Sequence, residues 1–291
     1  MNHTKQPTSR FFKSSSLNLH YLDWGNEQSP LLILVHGMHD HARSWDWIAR
    51  GLCDQWHVVA VDLRGHGDSD WSPEGAYHTA YYLEDFVRLT EALGEEKFSI
   101  IAHSLGGNPS ARFAGLYPER VNKLVLVDGM GPTRPALETW DKQGNLNRSR
   151  DWLEKRQAAY LKEPRRFDSV NNAVQRMMQV HKNLSSEQAQ HLTVYGLRQH
   201  GIQYGWKYDP RAGLFHPEDF AIHLREYWKE ITADALLCWG PKSWTTNPAE
   251  DGNAKNFKSA TTMTFAESGH WIHHDQTDEF ITAARTFLLA P

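Results

Sequence analysis

The sequence predicts an α/β domain built on a mostly parallel sheet and interrupted by a helical insertion. Three observations predict it. Short β-rich runs alternate with amphipathic stretches over residues 17–128. The strands are apolar without alternation, as in Leu31-Leu32-Ile33-Leu34-Val35, and the rhythm stops for about a hundred residues before strands return near 235. Unbroken apolar strands suit a parallel sheet with helices on both faces, where neither side of a strand meets water.

The runs 17–22, 31–36, 57–62, 98–103 and 123–128 each end in turn residues and read as strands. Between them, 45–52, 81–93 and 105–117 carry apolar residues at mixed three- and four-residue spacing. That spacing predicts helices, and Gly94 follows the second as a C-cap. From Gly129 to Glu230 the pattern is helical: Val170, Val174, Met177 and Met178 share one face, and Ser185 with Gln188 makes a capping-box pair. Strands return at 235–240 and 261–266, and 277–289 reads as a final amphipathic helix. The expected organisation is a core of residues 1–130 and 231–291 around an inserted helical unit at 131–230.

Composition narrows the class further. A chain of 291 residues buries a sizeable core without staples, and its hydrophobic and charged fractions are those of a globule rather than a disordered chain. Cys53 and Cys238 cannot build a disulfide framework, and the polar start lacks an apolar leader; a cytoplasmic location off the membrane is the expectation. Net charge is −4 with no long run of one sign, which argues against nucleic acid and for a small-molecule partner. From Thr133 to Glu230, sixteen basic residues face twelve acidic ones, a net +4 against −8 elsewhere. Such an insertion could favour an anionic substrate, although a solvated helical surface is the plainer reading. Nothing in the pattern indicates an oligomeric state.

The stretch Ile100-Ile101-Ala102-His103-Ser104-Leu105-Gly106-Gly107 carries the chemistry: a predicted strand runs into a predicted helix with a serine at the corner. A turn this tight strains the serine backbone, so small residues must stand two positions to either side, and Ala102 and Gly106 do. The helix start favours negative charge near Leu105. A serine is a poor nucleophile without a base. His270 is the candidate, on the loop Glu267-Ser268-Gly269-His270-Trp271 after the last predicted strand, where an imidazole can reach over the corner. His103 should point away across the turn, and His273 and His274 begin the final helical region, so all three read as structural. An oxyanion hole needs two N–H donors. Leu105 supplies one, and Met38 the other from His36-Gly37-Met38, where Gly37 allows close backbone approach. His36, His39 and His41 could be taken as metal ligands, but no carboxylate or cysteine spacing of a known site accompanies them. No metal or cofactor is expected, since each chemical role has a candidate group.

His36-Gly37, Asp62-Leu63-Arg64-Gly65-His66-Gly67-Asp68-Ser69, the serine corner and Gly269-His270 follow one another in the order of a known family. The chain resembles the α/β-hydrolase-fold serine hydrolases over nearly all of its length outside the insertion, Ala102 departing from the Gly-x-Ser-x-Gly elbow by one methyl group. The resemblance implies an esterase-like enzyme, a cap formed by the insertion after the sixth strand, and a scaffold role for Asp62 and Arg64. It also implies a triad acid in a pattern like Trp-Gly-x-x-Asp. Here Trp239-Gly240-Pro241-Lys242-Ser243 places a serine at that position.

Asp128 is the expected substitute. It ends a strand that the resemblance places, in the family's sheet, between the nucleophile strand and that of Trp239, and some members of the family, certain dehalogenases and lipases among them, take their acid from that strand end. A turn-capping role is its alternative. Asp251, Glu250 and Glu267 are weaker candidates, and Asp234 lies at the wrong end of its strand. Serine rather than aspartate at 104 speaks against dehalogenase and epoxide hydrolase chemistry and leaves acyl transfer to water, with an ester as the simplest substrate. Carbon–carbon bond hydrolysis, or a binding protein with vestigial turnover, are the alternatives. Trp206, Met177 and Trp271 are the expected substrate contacts.

Overall fold

The computed structural model describes residues 5–131, 134–214, 216, 219 and 224–291. Thr133, where the basic insertion was counted from, lies outside them. Along the chain come β1 (Thr8–Ser14), β2 (Leu17–Asp23), β3 (Leu31–Val35), α1 (Asp46–Leu52), β4 (His57–Val61), α2 (Thr79–Leu93), β5 (Phe98–His103), α3 (Gly107–Leu116) and β6 (Val121–Val127). The next segment holds α4 (Arg134–Gln143), α5 (Asn145–Leu161), β7 (Arg166–Phe167), α6 (Val170–Val180), α7 (Ser186–Gly196), β8 (Leu197–His200), β9 (Gln203–Trp206) and α8 (Leu224–Glu230). After it follow β10 (Asp234–Trp239), β11 (Ala260–Thr264), α9 (Ile272–Asp275) and α10 (Thr277–Leu289).

Eight strands form one sheet in the order β1-β2-β4-β3-β5-β6-β10-β11, parallel except where β2 pairs antiparallel with β1 and β4. The unbroken apolar strands are explained by helices on both faces. Ile33 and Val35 of β3 join a cluster with Phe86 of α2 and Phe113 of α3, while Leu32 and Leu34 join a second with Trp45, Ile48 of α1 and Phe280 of α10. Each wholly buried aliphatic side chain contributes about 1.5–3 kcal/mol relative to exposure, so register is fixed from both sides. Gly94 ends α2 in the left-handed conformation with its N–H on Thr90 O, and Ser185 and Gln188 cap α7 reciprocally.

Three expectations need correction. β1 was not foreseen: it is an edge strand, largely exposed, whose polar residues Thr8, Ser9, Arg10 and Lys13 hide its periodicity. The segment from 131 to 230 is not purely helical, since β7, β9 and β8 form an antiparallel sheet whose two- to four-residue strands are too short to show a period. Met178 does not share the inward face of α6, where Ala173 is buried; it is exposed. Among the described residues no helix is long and apolar enough to cross a membrane. Both cysteines are free and buried.

Candidate active site

The carboxyl ends of β3, β5 and β6 and the loop after β11 meet at one end of the sheet, where ligands gather in open parallel sheets. β5 stops at His103, and Ser104–Gly106 forms a single 3-10 turn before α3. Ser104 sits at φ 48°, a left-handed conformation that costs a non-glycine residue about 1–3 kcal/mol and persists only where its surroundings impose it. They do. A Cβ on Gly106 would stand 2.6 Å from the His36 carbonyl oxygen, and one on Gly107 would collide with that of Gly129. The methyl group of Ala102 is fully buried at the end of β5, so the departure from glycine there is accommodated.

His270 Nε2 lies 2.9 Å from Ser104 Oγ, and His270 Nδ1 lies 2.5 Å from Asp128 Oδ2. The carboxylate can only accept from Nδ1–H, so in the neutral ring Nε2 faces the serine hydroxyl as acceptor. Asp128 follows β6 at φ 47°, its N–H bonded to Cys238 O at 2.9 Å. Its side chain is nearly inaccessible, whereas that of His270 is about one fifth exposed. Two more donors converge on the carboxylate: the Ser243 hydroxyl on Oδ2 at 2.5 Å and the Thr245 hydroxyl on Oδ1. Thus the serine at the family's usual acid position touches the acid that stands in for it. Thr245 was not foreseen, and no local signal marks it.

The other carboxylates lie elsewhere. Glu267 pairs with Lys242 at 2.7 Å, Asp234 with Lys123 at 2.8 Å, Glu250 accepts from Asn247, and Asp251 accepts from Thr246 at 2.6 Å. His103 is bonded elsewhere than at the serine hydroxyl: its Nε2–H donates to the His270 carbonyl at 2.9 Å. Burial holds its pKa well below the usual histidine value, so it serves as a neutral brace under the His270 loop.

His36 is equally committed. Its Nδ1–H donates to Gly37 O at 2.6 Å, its Nε2 accepts from Leu63 N–H at 3.0 Å, and burial lowers its pKa. It thereby pins the turn that carries Met38. A Cβ on Gly37 would stand 2.6 Å from His103 Nδ1 and 3.1 Å from Ser104 Cβ, so this turn lies directly against the serine. Met38 lines the same cavity as Ser104 and His270, and the partly buried Leu105 side chain packs against the core.

That cavity, about 600 Å³, is also lined by Met177, Trp206 and Trp271, the three side chains expected there. Tyr208, His181 and Trp244 join them. His181 stacks on Trp271 at 3.9 Å between centroids, and Tyr208 on His39 at 4.1 Å. Among the described residues His36, His39 and His41 do not converge on one point. The groupings that could offer three ligand atoms are Asp40 with His273 and His274, and His20 with Asp62 and Asp68. In the second, His20 Nδ1 and Asp62 Oδ2 already bond each other at 2.6 Å. Asp62 also accepts from the N–H groups of Ala42 and Asp68, and Arg64 grips Asp85 with two bonds of 2.6 Å, arrangements suited to a scaffold.

Comparison with known proteins agrees with this fold. The family described as alpha/beta hydrolase fold matches residues 30–277. The chain belongs to this family. Serine hydrolase-like protein 2 of Homo sapiens is 32% identical over 166 residues, 56% of this chain and 52% of that protein. The chain spans about a third to a half of the length of the serine hydrolase-like relatives of Danio rerio and Homo sapiens that it matches. Among solved structures, an esterase of Mycobacterium tuberculosis superposes with a TM-score of 0.79 at 24% identity, covering 98% of this α/β hydrolase and 93% of that chain. E-2-(acetamidomethylene)succinate hydrolase does so with 0.80 at 19%, covering 98% and 100%. At such identities the likeness is one of fold.

Proposed function

We propose that this α/β hydrolase is a serine esterase working through a Ser104-His270-Asp128 triad on a small-molecule ester. The observation that carries the reading is the unbroken hydrogen-bond chain from the Ser104 hydroxyl through both ring nitrogens of His270 to Asp128. His270 removes the proton as Ser104 Oγ attacks the ester carbonyl. Asp128 holds the ring in the required tautomer and stabilises the imidazolium. The N–H groups of Met38 and Leu105 receive the developing oxyanion, a role supported by the pinned 36–38 turn lying against the serine. Proton transfer from His270 releases the alcohol, and water then cleaves the acyl-enzyme by the same route.

In this reading residues 131–230 act as a cap over the site, and Trp206, Met177 and Trp271 hold the organic part of the substrate. The M. tuberculosis neighbour, itself named an esterase, adds support. The test is direct. Purified protein should hydrolyse short 4-nitrophenyl esters and take a fluorophosphonate label on Ser104, and Ser104→Ala should lose both. Absence of turnover and label in the folded wild type would sink the proposal and favour a binding protein on the same fold.

A further inference from the structure

The cavity beside Ser104 is walled largely by carbon-rich side chains, yet two guanidinium groups reach it. Arg165, just before β7, and Arg176, on α6, both line it, and both act electrostatically on the Tyr208 hydroxyl. They come from different elements, and both are exposed. Among the described residues neither arginine makes a hydrogen bond or ion pair, and the Tyr208 hydroxyl is likewise without a partner. The third cation in the cavity wall, Lys207, is engaged with Asp68 at 2.8 Å. The Tyr208 ring is held by His39 on one side and runs parallel to Trp206. The carboxylate in the cavity wall is Asp40, which is buried and accepts from the His41 N–H.

We propose that Arg165, Arg176 and the Tyr208 hydroxyl form a subsite for a carboxylate, so that the substrate is an ester bearing a negative charge away from its scissile carbonyl. Two planar guanidiniums match a carboxylate with paired, charge-assisted bonds, and a phenol hydroxyl adds a third donor. Both guanidiniums are exposed, so their attraction for an anion is partly screened and sensitive to salt. The inserted segment's net positive charge is thus put to use where two of its unpaired cations face the cavity. The reaction rests on the serine-esterase reading; the subsite does not.

The experiment compares kcat/KM for two pairs of esters. Mono-4-nitrophenyl glutarate against 4-nitrophenyl pentanoate places the charge on the acyl side; 4-(butanoyloxy)benzoate against phenyl butanoate places it on the leaving side. In at least one pair the anionic ester should be preferred by about tenfold or more at low salt. That ratio should collapse toward one in Arg165→Gln/Arg176→Gln, survive in part in the double lysine variant, and shrink with added salt in the wild type. A neutral preference in both pairs, or an anionic preference untouched by the glutamine variant and by salt, overturns the subsite. If no ester is turned over, calorimetric titration of wild type with glutarate decides separately. Binding that the glutamine variant loses keeps the subsite while the esterase reading falls, and no binding removes the subsite too.

Discussion

Ser243 stands where the family pattern places a carboxylate, and its hydroxyl instead touches the carboxylate of Asp128, which also faces His270. Asp128→Asn should lower kcat/KM for a 4-nitrophenyl ester by about 10⁴, because an amide allows the wrong imidazole tautomer. Its circular dichroism should match wild type. Adding Ser243→Asp to that variant should restore at least about tenfold, since the new carboxylate would approach the same ring edge. Failure of the double variant to exceed Asp128→Asn, with the fold intact, would show that only the tip of β6 can orient the ring. Asp128 was legible because a strand-end carboxylate is one of few groups able to reach the loop after β11. Thr245 was not, because its meaning lies in a contact with a residue 117 positions earlier in the chain.

At the scale of elements, the sharp turn between β5 and α3 depends on close backbone approach, while the end of α2 depends only on conformation. Gly94 has a positive φ of 73° and open space around its Cβ position, whereas a Cβ on Gly107 would meet the Gly129 backbone. Gly94→Ala should therefore cost about 1 kcal/mol, the price of a left-handed alanine. Gly107→Ala should cost about 3 kcal/mol through overpacking against a carbonyl that cannot turn aside. It should also depress turnover, because Gly129 adjoins both Asp128 and the Ser104 backbone. Urea unfolding of the two variants checks the order, and equal costs would contradict it. Gly94 and the α7 capping box were visible in sequence because caps are local signals. The edge strand β1 and the short β7, β8 and β9 were hidden, since their stability comes from partners rather than from a repeating pattern.

For the molecule as a whole, the buried histidines outside the triad set the response to acid. Burial lowers the pKa of His36, His66, His103 and His273, and pushes that of His274 down to about 4. In the unfolded chain these imidazoles return to the ordinary value near 6.5. Between the two values the unfolded state binds the protons, so stability is full above about pH 6.5 and is lost as pH falls toward 4. Each such group steepens the decline by up to about 1.4 kcal/mol per pH unit. Asp62 adds nothing in this window. Its hydrogen bond and attraction to His20 outweigh its burial and hold its carboxyl far below the usual range, so its share is lost only in stronger acid. The urea midpoint should therefore drop steeply from pH 7 to pH 5, with a slope equivalent to more than one proton. His274→Leu should flatten that slope by close to one proton, because leucine keeps the packing near Trp47 and Trp271 and removes the titrating group. A midpoint independent of pH across that range would mean that these rings are accessible to protons in the folded protein.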